Sequence, residues 1–478
     1  MTKIKNFING SYETPESGEY IENFEPATGK VYGTIARSGK PDVSKAVESA
    51  VKAKSTWASL AISERSKILH RLADLIEENL DPLAKAESRD TGKPISVARS
   101  VDIPRAAANF RFFASAIVNF SSSANIMEGQ AVNYTRLAPI GVVGCISPWN
   151  LPLYLFTWKI APALAMGNCV IGKPSELTPV TAFLLADLAR KAGFPPGVLS
   201  VLHGYGQEVG QAIVEHPKIN AISFTGGTAT GKIIGQIAAS QFKKVSLELG
   251  GKNPTIIFED CDFEETVTQV VRSAFANQGE ICLCGSRILI QDSIYQKFKK
   301  SFISAVESLQ KGDPADPDTE FGALISADHR KKVLNYIQQA KEEGGTVVTG
   351  GNTFTPGEPG GYFVEPTVIE GLDSRCTINR EEVFGPVVTL IPFASESDAL
   401  EIANSTSYGL AASIWTRDLR KAHRVAHQVE SGIVWVNCWM LRDLRTPFGG
   451  MKNSGVGREG GEEALRFFSE PQNICVKL

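Results

Sequence analysis

Apolar residues recur three and four positions apart over residues 43–60 and 64–79, and again over 83–89 and 95–118. That spacing places them on one face of a helix, so four helical stretches are predicted. From residue 141 the rhythm changes. Short apolar runs at 141–147, 168–172, 199–202 and 221–224 alternate with amphipathic stretches at 180–192, 207–215 and 231–239. Repeated strand-helix units of this length predict a parallel sheet with helices on both faces. Gly250-Gly251 interrupts the pattern, and the alternation then resumes. Strands are expected at 255–258, 287–291, 346–348 and 387–392, and helices at 263–276, 294–309, 329–343 and 396–404. A second α/β unit therefore follows the first, with the boundary near 248–251. Residues 350–361, rich in Gly, Pro and Thr, read as a surface turn.

The chain has 478 residues, enough for two to three domains at roughly 100–200 residues each. Apolar residues make up 43%, charged residues 21%, and the net charge is -3. With no basic stripe, nucleic-acid binding is not expected. Residues 1–12 are polar, which argues against a secretory signal. The most apolar region, 140–172, is broken by Pro148, Asn150, Pro152, Lys159, Pro162 and Asn168. It reads as core and loop, so no membrane span is expected. Eight cysteines are too sparse for a disulfide scaffold, and a cytoplasmic, reduced protein is the expectation.

One cysteine stands apart. Cys282 follows Gly279-Glu280-Ile281, at the junction of a helical run and the strand 287–291. A residue at such a junction is both held and reachable. No histidine lies within forty residues of it on either side; the six are at 70, 203, 216, 329, 423 and 427. If Cys282 is a nucleophile, a carboxylate is the better activator, and Glu248 in Leu247-Glu248-Leu249-Gly250-Gly251-Lys252-Asn253 is the best placed. Cys284 makes a Cys-x-Cys pair with Cys282, but no second pair follows, and no metal site is expected. Further upstream, Gly226-Gly227-Thr228-Ala229-Thr230-Gly231 follows a strand and opens a helix. Backbone N–H groups at a helix start attract a pyrophosphate.

Leu-Glu-Leu-Gly-Gly-Lys-Asn followed by Gly-Glu-Ile-Cys resembles the paired glutamate and cysteine signatures of the aldehyde dehydrogenase superfamily. The resemblance spans almost the whole chain, through Pro148-Trp149-Asn150-Leu151-Pro152, Lys173-Pro174-Ser175-Glu176, Phe224-Thr225-Gly226-Gly227, Glu381-Glu382-Val383-Phe384-Gly385-Pro386 and Pro447-Phe448-Gly449-Gly450. It implies that Cys282 attacks an aldehyde, that Asn150 and the Cys282 N–H stabilise the oxyanion, and that Glu248 activates water. It implies NAD as cofactor, held by Ile146, Trp149, Lys173, Glu176, Gly206, Phe224, Gly226, Gly227, Gly231, Leu249, Glu382 and Phe384. A carboxylate at Glu176 accepts from two ribose hydroxyls and repels a 2′-phosphate, which favours NAD over NADP. The sequence departs from the commonest family wording at Glu280, where glutamine is frequent, at Cys284, where a small residue is usual, and at Gly227, where serine is frequent.

The fold so implied is α/β: a Rossmann-like NAD-binding domain (1–120 and 139–248), an α/β catalytic domain (249–448), and a small β oligomerisation arm with a C-terminal segment (121–138 and 449–478). A homodimer or homotetramer is expected. Within the superfamily, Arg442-Asp443-Leu444-Arg445-Thr446 and the end at 473–478 resemble the dehydrogenases of 2-aminomuconic and 2-hydroxymuconic 6-semialdehydes. Those substrates carry a carboxylate at the end opposite the aldehyde, and a guanidinium clamps a carboxylate in a fork. Arg105 and Arg445 are the expected substrate contacts; Asp443 pairs with Arg442 or Arg445, and the sequence leaves open which arginine is free. Three other functions compete. A CoA-acylating dehydrogenase needs no water-activating base, so Glu248 argues against it. A cysteine hydrolase would not bind NAD. A silent binding protein would be expected to lack Cys282 or Asn150.

Overall fold

The computed structural model describes residues 2–357 and 359–478; the expected turn at 350–361 is described except at Glu358. Two large sheets organise the chain. The first has eight strands, in the order Gly455–Val456, Lys244–Glu248, Ala221–Thr225, Val142–Ile146, Cys169–Lys173, Leu199–Val201, Asn6–Ile8 and Ser11–Glu13. The five central strands are parallel, as their continuous apolar runs require of strands covered on both faces. The chain runs outward from Val142–Ile146 through Cys169–Lys173 to Leu199–Val201. It then returns to lay Ala221–Thr225 on the other side of Val142–Ile146. Strand order therefore reverses between these two strands, and the crevice beyond their carboxyl ends is where such sheets take a ligand.

The second sheet has seven strands, in the order Thr346–Thr349, Thr367–Glu370, Val387–Phe393, Arg287–Gln291, Pro254–Ile257, Ala411–Trp415 and Ile433–Val436. All pairs are parallel except the first. One core lies under Phe263–Phe275 and Tyr295–Glu307, another under Glu396–Asn404 and Leu419–Ala426 on the opposite face. A third sheet of three antiparallel strands joins Ala124–Met127, Ala131–Pro139 and Ser469–Lys477.

The predicted elements are present, with informative differences. The helix expected over 95–118 is broken. Ile95–Val97 leads into one wide i→i+5 turn, Ala98–Asp102, before Ile103–Asn119. Pro104 has no N–H to offer the turn below it, and the widened turn leaves Asp102 fully buried. The helix expected at 231–239 begins at Thr228, directly after Gly226-Gly227. The strands Ala411–Trp415 and Ile433–Val436 were not expected, nor was the crossing of Gly455–Val456 onto the edge of the first sheet.

Candidate active site

The two sheets meet with opposite ends. Glu248 ends a strand of the first sheet, and Asn150 and Gly226 follow two others. Gly250-Gly251, Cys282 and Glu382 precede strands of the second. Carboxyl ends thus face amino ends across a cleft, and a cavity of about 240 Å³ opens there. It is lined by Trp149, Asn150, Thr225, Gly226, Gly227, Leu249, Gly250, Cys282, His329, Lys332, Glu382 and Phe384, among others.

Cys282 is half-buried on a turn that the backbone forces into shape. Asn277, Gln278 and Gly279 all adopt positive φ, at 50°, 56° and 72°. At Gly279 a side chain would collide with the Gly385 carbonyl, so only glycine fits. The Asn253 amide then pins the turn, donating to Cys282 O at 2.7 Å and Cys284 O at 2.9 Å. Cys284 is buried against Ala276 O. Burial, then the Glu382 and Glu248 carboxyls, push the Cys282 thiol above its ordinary range, with Arg442 opposing. The resting side chain is therefore a thiol.

Asn150 is buried beside it. Its Nδ2 donates one N–H to Glu280 O at 2.9 Å, and its Oδ1 has no protein partner. An amide carries two N–H donors, so one remains. Glu248 is buried, and its Oε1 has no partner. Burial, followed by the nearby Glu459 carboxylate, raises its carboxyl well above the ordinary range, against Lys159, Arg458 and Arg442. Behind it, Lys159 donates to Glu459 at 2.7 Å and to Ser223 at 3.2 Å. A carboxyl so raised binds a proton more tightly than an ordinary carboxylate, which makes it a stronger base toward water.

Of the expected cofactor residues, Trp149, Gly226, Gly227, Leu249, Glu382 and Phe384 line this cavity, Ile146, Glu176, Gly206 and Phe224 line a second, and Lys173 and Gly231 line neither. That second cavity, of about 400 Å³, is lined by Ile146, Glu176, Gly206, Gly210, Val214, Phe224, Ile233, Ile234 and Ile237, among others. Apolar walls with one carboxylate at the rim suit an adenosine. Glu176 accepts from Lys173 at 2.9 Å and from Gly206 N–H at 3.4 Å. Burial pushes the Glu176 carboxyl up, but Lys173 and Gly206 outweigh it, and the net shift is below the ordinary range. Between the cavities, nothing lies within 4 Å of where a Gly227 side chain would begin. Thr225 Oγ1 and Thr228 Oγ1 are buried there without partners, beside the start of the helix Thr228–Ser240. Gly231 packs against Leu249. These orphaned hydroxyls and the open helix end fit a pyrophosphate.

At the thiol end, Glu382 accepts from Gly251 N–H at 2.9 Å. Burial raises its carboxyl to about 7, against Gly251 N–H, Lys332 and Lys252. Trp149 and Phe384 meet edge to face at 5.2 Å. His329, absent from the expected set, completes this wall. Its ring lies 5.3 Å from Trp149, and its Nε2 is 2.6 Å from Phe384 O. Phe384 has φ of 59°, and the His329 bond holds that conformation. His329 lies 47 positions beyond Cys282 in a helix start, so spacing in sequence gave no sign of it.

The two expected arginines part company. Arg105 lies over the rings of Tyr154 and Trp158, at 5.3 and 5.7 Å. Its Nε and Nη2 are buried with no hydrogen-bond partner. Arg445 is 80% exposed, and Asp443 takes its guanidinium at 2.6 Å. Arg442, three positions earlier, is the arginine of this loop that shares a ring with Arg105. It donates to Tyr154 Oη at 2.8 Å, sits 3.9 Å over Phe448 and shares Trp158 with Arg105. Because Asp443 takes Arg445, Arg442 is the free one.

The aldehyde dehydrogenase family pattern matches residues 12–474. A 2-aminomuconic semialdehyde dehydrogenase of Bos taurus is 49% identical over 482 residues, spanning 100% of this chain and 99% of the relative. A 2-hydroxymuconic semialdehyde dehydrogenase of Pseudomonas sp. (strain CF600) is also 49% identical, over 486 residues and 100% of both chains. The solved structure of an aldehyde dehydrogenase from Bacillus cereus in complex with NAD+ superposes with a TM-score of 0.97 at 40% identity, covering 100% of this chain and 97% of that one. On its sequence, its fold and the cleft between its sheets, the chain belongs to the aldehyde dehydrogenase family.

Proposed function

We propose that the chain oxidises an acidic semialdehyde with NAD, in the first place 2-aminomuconate 6-semialdehyde to 2-aminomuconate. The observation that carries this reading is the pair Arg105 and Arg442, stacked on the shared Trp158 ring, with two buried guanidinium nitrogens of Arg105 still free. A carboxylate is the partner they lack. The 2-hydroxy substrate is a second reading, favoured by the Pseudomonas relative, since it offers the same two ends.

Cys282 attacks the aldehyde carbon, its proton passing to Glu248 or to water, and a thiohemiacetal oxyanion forms. The free N–H of Asn150 and the Cys282 N–H receive that charge; one such donor is worth roughly 3–4 kcal/mol of barrier. Bound NAD would supply the hydride acceptor needed to leave a thioester on Cys282. Glu248 then takes a proton from water as it attacks the thioester, and the acid and the free thiol result. Ile146, Lys173, Glu176, Gly206 and Phe224 would hold the adenosine; Gly226 and Gly227 at the helix start would hold the pyrophosphate, with Gly231 packed against Leu249; Trp149, Leu249, Glu382 and Phe384, with His329, would hold the nicotinamide end.

The division into 1–120 with 139–248, 249–448, and 121–138 with 449–478 is supported by the three sheets, although Gly455–Val456 pairs with the first and Met451–Lys452 with Tyr408–Gly409 of the catalytic part. Ile126 and Val476 are exposed on the three-stranded sheet, at 73% and 48%. That supports its role as the arm of a dimer or tetramer. No helix among the described residues is long and apolar enough to cross a membrane; a cytoplasmic location is part of the proposal.

NADH formation over acidic and neutral aldehydes of equal length tests the substrate class. Arg105→Ala and Arg442→Ala each raise KM for the acidic semialdehyde about tenfold or more, the scale of one charge-assisted hydrogen bond, and barely change it for the neutral one. Equal losses on both substrates sink the clamp. Arg445→Ala gives the smaller effect.

A further inference from the structure

Beneath the loop that carries Asn150 lies a cluster of three ionisable side chains, Glu87, Lys93 and Asp102, each with 0% exposure. None of them lines either cavity. Lys93 and Asp102 form an ion pair. Such a pair gives up so much hydration that apolar replacement is often neutral or stabilising, so stability alone is a poor account of it. The hydrogen bonds that leave the cluster give a better one. Lys93 Nζ donates to Asn150 O at 3.0 Å. Glu87 Oε1 accepts the Leu153 N–H at 3.1 Å, while its Oε2 accepts from Thr181 at 2.5 Å. Both ends of the segment from Asn150 to Leu153 are thus tied to one buried cluster.

The Asn150 carbonyl takes a second donor, Asn277 Nδ2, at 3.2 Å. Asn277 belongs to the left-handed turn before Cys282. Lys93 and the cysteine turn therefore grip the same peptide from two sides. With that peptide fixed and Nδ2 anchored on Glu280 O, the remaining N–H of the side chain has one direction left to it. A misplacement of about 1 Å in such a group costs on the order of 10²-fold in rate.

We infer that Lys93, clamped by Asp102, is a positioning residue for Asn150, holding its backbone so that its side-chain amide meets the oxyanion on the Cys282-bound substrate. The inference rests on the reading of Asn150 as oxyanion donor proposed above. Lys93 touches neither substrate nor cofactor; it acts through Asn150.

The competing role is plain charge neutralisation of Asp102 in the core. Lys93→Met/Asp102→Asn separates the two, because it removes the charges together. Steady-state kinetics with hexanal, which carries no carboxylate for the arginines, are compared with NAD affinity and melting temperature. The expected result is a melting temperature and NAD affinity close to wild type, with kcat lower by about tenfold or more. Combined with Asn150→Ala, the pair of changes adds no further loss, as expected of residues acting through one group. Wild-type kcat in a well-folded double variant overturns the inference, and so does a loss that multiplies with that of Asn150→Ala. Where the double variant folds poorly, Asp102→Asn alone serves, since it loosens the clamp and keeps an acceptor. A fall of about threefold that vanishes on the Asn150→Ala background supports the role, and no fall overturns it. Asn150→Ala by itself tests the underlying reading, with an expected loss of about 10²–10³ in kcat. If that loss is absent, the oxyanion assignment fails; if it is present while the Lys93 and Asp102 variants are unimpaired, only the positioning role fails.

Discussion

At the scale of single residues, Glu248 carries the sharpest expectation. Its carboxyl is raised by burial and by Glu459, so it loses its proton only as the pH climbs well past the ordinary carboxylate range. The water-activating step therefore accelerates with rising pH. Glu248→Gln should leave a rapid burst of NADH equal to the enzyme present, then slow steady turnover by about 10²–10⁴, the usual weight of general acid–base catalysis. Stopped-flow absorbance reads both phases, and an unchanged steady state sinks the assignment. Residue chemistry was also the most legible part of the sequence, because Cys282, Glu248 and Asn150 sit in long, distinctive motifs. The arginines show where that legibility ends. Arg442 and Arg445 are three positions apart in one loop, and only the pairing of Asp443 with Arg445 turns Arg442 inward.

At the scale of elements, the turn Asn277–Gly279 does most to place the thiol. Gly279→Ala combines a strained left-handed φ with a collision against Gly385 O. Such strained positions cost about 1–3 kcal/mol before any clash is counted, so the variant should melt several degrees lower and lose NADH-forming activity. Activity and melting temperature equal to wild type contradict the packing described. The alternation of apolar runs disclosed most of both parallel sheets, because buried parallel strands read as continuous apolar stretches. Ala411–Trp415 and Ile433–Val436 escaped, since short apolar runs can belong to either strands or helices. His329 and Lys93 escaped for another reason. Each works through a backbone carbonyl distant in sequence, Phe384 and Asn150, and no local pattern marks a bond of that kind.

At the scale of the whole molecule, several carboxyls are buried with raised affinity for protons, among them Glu87 at about 8 and Glu382 at about 7, both chiefly through burial. Folded carboxyls of this kind hold protons that the unfolded chain releases near 4.5. Their contribution to stability is complete below that value and is lost as pH rises through about 7 and 8. The melting temperature should fall across this range, and Glu87→Gln should flatten the fall, as calorimetry at fixed ionic strength can read. Charge is also unevenly placed around the thiol. Arginines 105 and 442 share the Trp158 ring, while the carboxyls of Glu248 and Glu382 lie nearer the thiol and push its proton affinity up. An acidic semialdehyde enters with a single negative charge, the one the arginines take. It leaves with two, and the second is created beside Glu248 and Glu382, where burial already disfavours an ionised carboxyl. Turnover thus ends in a charge that this buried end disfavours, so product inhibition by the dicarboxylate should be weak, weaker still above about pH 7 where Glu382 ionises, and should strengthen there in Glu382→Gln. The arginines thus favour the tail that substrate and product share, and the buried carboxyls disfavour the head that only the product has.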